Sequence, residues 1–155
     1  MKRLYILFLI LASFIALYSR AVGQDTPNPQ IEKAKQFFQA IETKYKNFDP
    51  GLAQMYSDNA VSRMIRLYPD GKTDEITMEG RKIKEAVRQS MIRAKLIGEK
   101  ISFTDAHFVE EGSMVRITVR LHNELKNYSV PYELLVGKGA DGAWLIFTET
   151  IQSKP

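Results

Sequence analysis

Residues 100–151 constrain the fold most, because they consist of four runs rich in Val, Ile, Phe, Thr and Tyr. Short polar or glycine-containing segments separate the runs, a pattern typical of antiparallel strands joined in series. A sheet of this kind has one apolar face that other elements must cover. The predicted strands are 100–110, 114–123, 129–137 and 143–151.

Apolar residues recur every three or four positions in two upstream segments, which predicts helices with one buried face. The first helix starts at Gln30, and a short second helix follows Asp49, which can cap it. A third helix spans residues 82–96 and ends before Gly98.

Two shorter strands, 60–68 and 75–78, flank the turn formed by residues 69–72. The chain therefore has the order helix, helix, two strands, helix, four strands. This order predicts an α+β domain with the helices packed on one face of an antiparallel sheet.

The first residues predict a secretory signal peptide. Lys2 and Arg3 precede an apolar run over residues 4–18, and residues 21–23 supply a small-x-small cleavage signal. The run is shorter than the roughly 20 residues of a membrane-spanning helix. We expect cleavage after Gly23, a linker over residues 24–29, a single domain over residues 30–153, and a periplasmic or secreted protein. A retained membrane anchor is the alternative.

Composition excludes several function classes. The net charge is +4, but three of these charges belong to Lys2, Arg3 and Arg20, so the remainder is nearly neutral and gives no support for nucleic-acid binding. The chain has no Cys, which excludes disulfides and Cys-based zinc sites. His107 and His122 are not cross-strand partners in either hairpin register, and no glycine-rich phosphate loop is present. We expect no cofactor and no metal.

Four motifs carry a resemblance to a known family; they are Phe37-Phe38-Gln39-Ala40-Ile41, Met55-Tyr56-Ser57-Asp58-Asn59-Ala60, Glu79-Gly80-Arg81-Lys82-Ile83 and Asp141-Gly142-Ala143-Trp144. With these four motifs in this order along the chain, the protein resembles the nuclear-transport-factor-2-like superfamily, which includes SnoaL-like polyketide cyclases and ketosteroid isomerases. The resemblance covers residues 30–152. It implies a curved sheet wrapped on three helices, a cone with one pocket, and a homodimer formed through the sheet.

The isomerase branch implies three catalytic positions, and one of them keeps its chemistry here. The general-base position corresponds to Met64, whose thioether cannot remove a proton from carbon. The position of a hydrogen-bonding tyrosine corresponds to Phe37, which has no hydroxyl. The second acid of the oxyanion site corresponds to Glu133, and a buried protonated carboxyl can donate to an oxyanion. The resemblance disfavours isomerase activity and leaves other acid–base chemistry open.

Strand alternation supplies further candidates. Glu133 is a pocket carboxylate if its face of strand 129–137 lines the pocket, and a solvated surface residue otherwise. Asp105 and His107 share a face of one strand. A three-residue turn after that strand places both toward the pocket, and we prefer this register because it gathers apolar residues. A two-residue turn places them on the outer face with Arg116, Arg120 and His122.

The strand over residues 60–68 places Met64, Arg66 and Tyr68 on one face. An inward Arg66 would favour a carboxylate or phosphate on the ligand, whereas an Arg66 at the rim would pair with a surface acid. Phe37 and Trp144 are candidates for stacking on a ring-shaped ligand, with a place in the core as the alternative.

The third helix is basic on its outer face, through Arg81, Lys82, Lys84, Arg88, Arg93 and Lys95. A solvated face is the expectation, and a weak attraction to anionic surfaces is the alternative.

The sequence therefore predicts an exported cone-shaped protein that binds a small apolar or amphipathic ligand or acts as a dimeric interaction module. The alternative is a SnoaL-like acid–base enzyme, a cyclase, isomerase or dehydratase acting on a carbonyl compound. Glu133, Asp105 and His107 would then be its acid–base groups. We expect contact with a membrane only through an uncleaved N-terminal segment.

Overall fold

The computed structural model describes residues 28–154, so the predicted signal peptide and its cleavage site lie outside the described residues. In chain order the elements are α1 (Pro29–Lys46), a 3₁₀ helix (Pro50–Met55), β1 (Tyr56–Leu67), β2 (Thr73–Glu79), α2 (Arg81–Ile97), β3 (Ile101–Glu111), β4 (Met114–Asn123), β5 (Tyr128–Lys138) and β6 (Trp144–Ser153).

Local capping fixes where the helices begin and end. The side chain of Asn28 accepts a hydrogen bond from the backbone N–H of Gln30 at 2.9 Å, which starts α1. Asp49 caps the next helix by accepting from the N–H of Gly51 at 2.7 Å, and that helix is a 3₁₀ helix. Gly98 ends α2 in the left-handed conformation.

The six strands form one curved, unclosed sheet in the order β2-β1-β6-β5-β4-β3. Strand β1 runs parallel to β6, and all other neighbours are antiparallel. The predicted α+β class is confirmed. We call the face that packs against the helices the inner face and the other the outer face. The inner-face core includes Val115, Ile117, Leu121, Val130, Leu134 and Ile146.

The β3–β4 hairpin has a two-residue turn, so the preferred three-residue turn is wrong. Glu111 pairs with Met114, which leaves only residues 112 and 113 in the turn. A bulge then interrupts β3, because Thr104 pairs with Arg120 but the next pair is His107 with Thr118. Asp105 lies in this bulge with φ 55°.

A second bulge, in β6, changes which side chains of that strand face inward. Val136 pairs with Ile146, whereas the preceding residue of β5, Leu135, pairs with Thr148. Phe147 is therefore an extra residue, and alternation is shifted by one position after it. Ile146 and Glu149 are both buried, although regular alternation would place them on opposite faces.

Gly80 joins the β1–β2 hairpin to α2 in a conformation that only glycine adopts easily. Its φ is 50°, and a Cβ at this position would lie 2.6 Å from the carbonyl oxygen of Asp58. Its N–H donates to the carbonyl of Ala60 at 3.0 Å. The close approach holds the start of α2 against β1.

We predict that Gly80→Ala lowers the free energy of unfolding by about 2 kcal/mol or more. The cost of a positive φ in alanine adds to the clash of its Cβ with the carbonyl oxygen of Asp58. Gly71→Ala is the control, since Gly71 also has a positive φ but open space around it, and should cost about 1 kcal/mol. Denaturant unfolding measures both, and equal losses would contradict the role given to the Asp58 contact.

Candidate functional site

A buried carboxylate, Glu149, lies at the centre of the inner face. Glu149 is only 8% exposed. Tyr56 and Tyr132 each donate from Oη to Glu149 Oε1 at 2.7 Å, and Ser62 donates from Oγ to Oε2 at 2.6 Å. We call these four residues the Glu149 cluster.

Three strands bring the Glu149 cluster together. Glu149 on β6 is in register with Ser62 on β1 and with Leu134 on β5. Tyr132 lies two positions before Leu134 on the same buried face of β5. Tyr56 is the first residue of β1, directly after the 3₁₀ helix.

The hydroxyls satisfy a charge that has no cation beside it. Within residues 28–154, no Lys, Arg or His forms an ion pair with Glu149. A buried carboxylate without a cation requires hydrogen-bond donors, and three hydroxyls supply them here. Both carboxylate oxygens are therefore engaged by the protein itself.

The tyrosines around Glu149 hold their protons firmly. Burial, followed by the charge of Glu149, raises the pKa of both Tyr56 and Tyr132 well above the ordinary value. The pKa of Tyr45 is also raised, first by burial and then by Glu149, against a smaller opposing contribution from Tyr132. These hydroxyls are therefore donors across the physiological range of pH.

A cavity of about 500 Å³ lies between the end of α1, the start of β3 and the β4–β5 turn. Its apolar lining is formed by Tyr45, Phe48, Ile101 and Phe103, and its charged residues are Glu42, Lys46, Lys100 and Glu124. Burial raises the pKa of the Glu42 carboxyl.

Aromatic side chains separate this cavity from the Glu149 cluster. The ring of Phe103 lies 5.3 Å from that of Tyr45 and 5.7 Å from that of Tyr132, measured between centroids. Tyr132 is the residue that donates to Glu149. The cavity and the carboxylate are therefore neighbours across one layer of rings.

Glu133 lies on the outer face, opposite Tyr132, so its expected place inside a pocket is corrected. The buried residues of β5 are the alternating set that contains Tyr132 and Leu134. Glu133 instead forms an ion pair with Arg116 of β4, which also pairs with Glu111. The cause is simple alternation, because the more apolar face of the strand packs against the helices.

His107 lies on the outer face, as the alternative register predicted, and Asp105 lies in the bulge beside it. Both are exposed, and they border a shallow depression of about 200 Å³ with Thr118, Arg120 and Pro131. The two-residue turn and the bulge at Asp105 together produce this placement.

The remaining predicted pocket residues are divided between two other regions. Met64 is half-buried and in register with Ile151 of β6, whereas Tyr68 donates to Asp74 at 2.9 Å near the β1–β2 turn. Arg66 lies between them on β1 and pairs with Asp74 of β2 in register. Phe37 and Trp144 pack against the core with their ring centroids 6.1 Å apart. None of these five borders the 500 Å³ cavity.

The sequence predictions missed Tyr45, Tyr56, Ser62, Tyr132 and Glu149. One signal was present, because Tyr132 alternates with Val130 and Leu134 on an apolar face, and a buried tyrosine hydroxyl needs a partner. The partner itself could not be read from alternation, because the bulge at Phe147 reverses the face of Glu149.

Comparison with known proteins supports the fold. No protein-family model and no curated protein sequence matches the chain. Solved structures do: a candidate dehydratase of the NTF2-like family from Streptomyces avermitilis has a TM-score of 0.61 and 16% identity, with 82% of this chain and 97% of that chain covered.

Two further structures give the same result. An NTF2-like protein of unknown function from Pseudomonas putida KT2440 has a TM-score of 0.60 and 11% identity over 79% of this chain and 85% of that one. Nuclear transport factor 2 from Cryptosporidium parvum has a TM-score of 0.51 and 14% identity over 81% and 95%. The chain therefore has the nuclear-transport-factor-2-like cone fold, and at these identities the likeness concerns the fold alone.

Within residues 28–154, no group of three or more His, Asp or Glu residues is placed to hold a metal ion. Neither α-helix in this part of the chain has the length and apolar character needed to cross a membrane.

We predict that Tyr132→Phe lowers the free energy of unfolding by about 1.5–3 kcal/mol, because it removes a buried donor to a charged acceptor. Tyr68→Phe is the matched control, since it removes an exposed tyrosine hydrogen bond and should cost less than about 1 kcal/mol. Denaturant unfolding compares them. A loss no larger than that of the control would show that Glu149 does not depend on Tyr132.

We also predict that alkaline unfolding and tyrosine ionisation coincide. Raised pKa values in the folded state mean that this stability is fully present below the unfolded value of about 10 and is lost as the pH rises above it. Tyrosinate absorbance should therefore include a cooperative step at the pH where circular dichroism is lost. Ionisation of all tyrosines while the dichroism is intact would contradict the raised values.

Proposed function

We propose that this protein binds a small amphipathic molecule in the 500 Å³ cavity at the end of α1. The observation that carries the proposal is the lining of this cavity, with aromatic rings of Tyr45, Phe48 and Phe103 and charged groups at its edge. Its volume falls within the roughly 300–1,000 Å³ of small-molecule sites. An apolar interior with a few polar groups is the usual composition of such sites.

The lining defines the chemistry of the ligand. The rings favour a flat or apolar body, which they bury at little cost in side-chain entropy. Lys46 and Lys100 can bind an anionic group on the ligand, and Glu42 and Glu124 can accept hydrogen bonds from hydroxyl or amino groups. The combination favours an amphipathic compound over a pure hydrocarbon.

The state of Glu149 supports binding over catalysis at the Glu149 cluster. A general base must reach the proton that it removes. Glu149 lies behind Tyr132 and Phe103, and hydroxyls of the protein occupy both of its oxygens. Its role in this proposal is to hold Tyr132, which forms part of the wall behind the cavity.

We predict that 8-anilinonaphthalene-1-sulfonate, which has aromatic rings and one sulfonate, binds this cavity with increased fluorescence. Lys100→Glu should weaken its binding about three- to tenfold, because a cation at the edge becomes an anion. Lys33→Glu is the matched control, since it makes the same charge change on the exposed surface of α1 and should leave binding unchanged. Equal effects, or no effect of Lys100→Glu, would contradict a site at this cavity.

A second candidate function is acid–base catalysis on a carbonyl compound, and Glu42 is the observation that favours it. Glu42 and Tyr45 lie one turn apart on α1 and both line the cavity. A carboxyl whose pKa is raised can remove a proton next to a carbonyl. A cation that lines the cavity, Lys46 or Lys100, could stabilise the enolate oxygen that forms, after which Glu42 returns the proton.

Exchange of the α-protons of acetophenone in deuterated water, followed by NMR, tests this second function. We predict that Glu42→Gln abolishes exchange above the background rate and leaves binding of the naphthalene sulfonate within about twofold, because the amide keeps the shape but is not a base. An absence of exchange with the unchanged protein, or full exchange with the variant, would remove Glu42 from this role.

Export and assembly stay predictions. We propose that residues 1–23 direct export, as the sequence indicated, and that the chain forms a homodimer through the sheet, as the family resemblance implied. The mass of the protein recovered from the exporting cell tests cleavage after Gly23. Sedimentation at several concentrations tests the dimer.

A further inference from the structure

The C-terminal end of α2 exposes apolar side chains that the core does not use. The helix buries Ile83, Met91 and Ala94. The repeat of 3.6 residues per turn places Ile92 and Leu96 on the opposite side of the helix. Leu96 is 81% exposed, and Ile92 is 48% exposed. These side chains cannot be explained by packing within the described fold.

The β4–β5 turn adds a further apolar side chain to the same end of the molecule. The N–H of Glu124 donates to the carbonyl of Lys100 at 3.0 Å, and Asn123 donates from Nδ2 to Glu99 at 2.6 Å. These bonds fix the turn beside the residues that follow α2. Leu125, in that turn, is 55% exposed. We call Ile92, Leu96, Ile97 and Leu125 the apolar tip.

Four cations lie within a few residues of the apolar tip along the chain; they are Arg93, Lys95, Lys100 and Lys126. None of the four forms an ion pair within residues 28–154. Two acids lie nearby, Glu99 and Glu124, and Glu99 accepts a hydrogen bond from Asn123. The segments that form the tip therefore combine exposed apolar side chains with four cations, against two acids.

This charge pattern selects among the surfaces that could cover the tip. A second copy of the chain would bring a second positive surface, and like charges oppose that contact. A specific protein partner needs about 800 Å² of complementary surface, whereas the tip is a helix end and a turn with four separate apolar side chains. A layer of anionic lipid headgroups adapts its shape to such a projection and attracts its cations.

We propose that the apolar tip docks on an anionic lipid bilayer, with Leu96 inserted at the level of the headgroups. The lysines and Arg93 bind lipid phosphates while their aliphatic stems remain against the apolar boundary. The proposal does not depend on the ligand of the cavity, since it rests on the exposed apolar tip and on cations of which only Lys100 also lines the cavity. It extends the expected membrane contact beyond the N-terminal segment.

A single dye at the tip tests this proposal in the full chain. Because the protein has no Cys, Leu96→Cys provides one position for a nitrobenzoxadiazole label. The dye reports only on its own surroundings, so membrane contact elsewhere in the chain does not produce the signal. We expect a blue shift, and quenching by spin-labelled lipid, with vesicles of equal phosphatidylglycerol and phosphatidylcholine. Pure phosphatidylcholine should give neither.

Val109→Cys is the matched control, because Val109 is also an exposed apolar residue, at 57%, but lies toward the other end of β3. Its dye should show no shift. Lys95→Glu in the labelled Leu96→Cys chain should weaken vesicle binding at the tip about fivefold or more, and Lys33→Glu should not. Equal signals at the two positions would overturn the proposal. So would a blue shift without vesicles that grows with protein concentration, which would identify a second copy as the partner.

Discussion

The hydrogen bonds to Glu149 are the constraint on which the arrangement of the sheet depends. An uncompensated carboxylate inside a fold costs more than most cores can supply, so its donors must all be in place at once. Those donors come from β1 and β5, while the acceptor comes from β6. The parallel pairing of β1 with β6, the single exception in an antiparallel sheet, is therefore fixed by side chains as well as by the backbone ladder.

The Glu149 cluster also supports the cavity that lies next to it. Tyr132 donates to Glu149 and packs against Phe103, which lines the cavity, so the Glu149 cluster supports the lining where it meets the core. The rest of the lining comes from the end of α1 and from residues next to the β4–β5 turn. A site supported by the core on one side and completed by element ends suits ligand binding, because residues near turns can vary without disturbing the core. The fold itself decides neither ligand nor reaction.

The sequence was sufficient for the elements and for the α+β class, because helical and strand periodicities are properties of local segments. The curved sheet of the cone was implied by the family resemblance. Capping by Asp49 and the turn at Gly98 were also predicted from residue type alone. The site was less accessible, since it depends on register. A two-residue turn in place of three sends His107 to the outer face, and Asp105 lies in the bulge that follows. Glu133 was the predicted pocket acid because it lies on an apolar strand, yet the buried acid is Glu149, whose inward direction follows from the bulge in its own strand.

That extra residue makes the length of β6 as important as its composition. Losing Phe147 would remove the bulge and leave Glu149 in register with Leu134, so the buried carboxylate would keep its donors. Losing the residue after Glu149 has no extra residue to absorb it, and would move Ile151 from the face of Tyr132 to the outer face. During divergence of this sequence, a single-residue deletion within β6 should therefore be tolerated at the bulge and eliminated after Glu149.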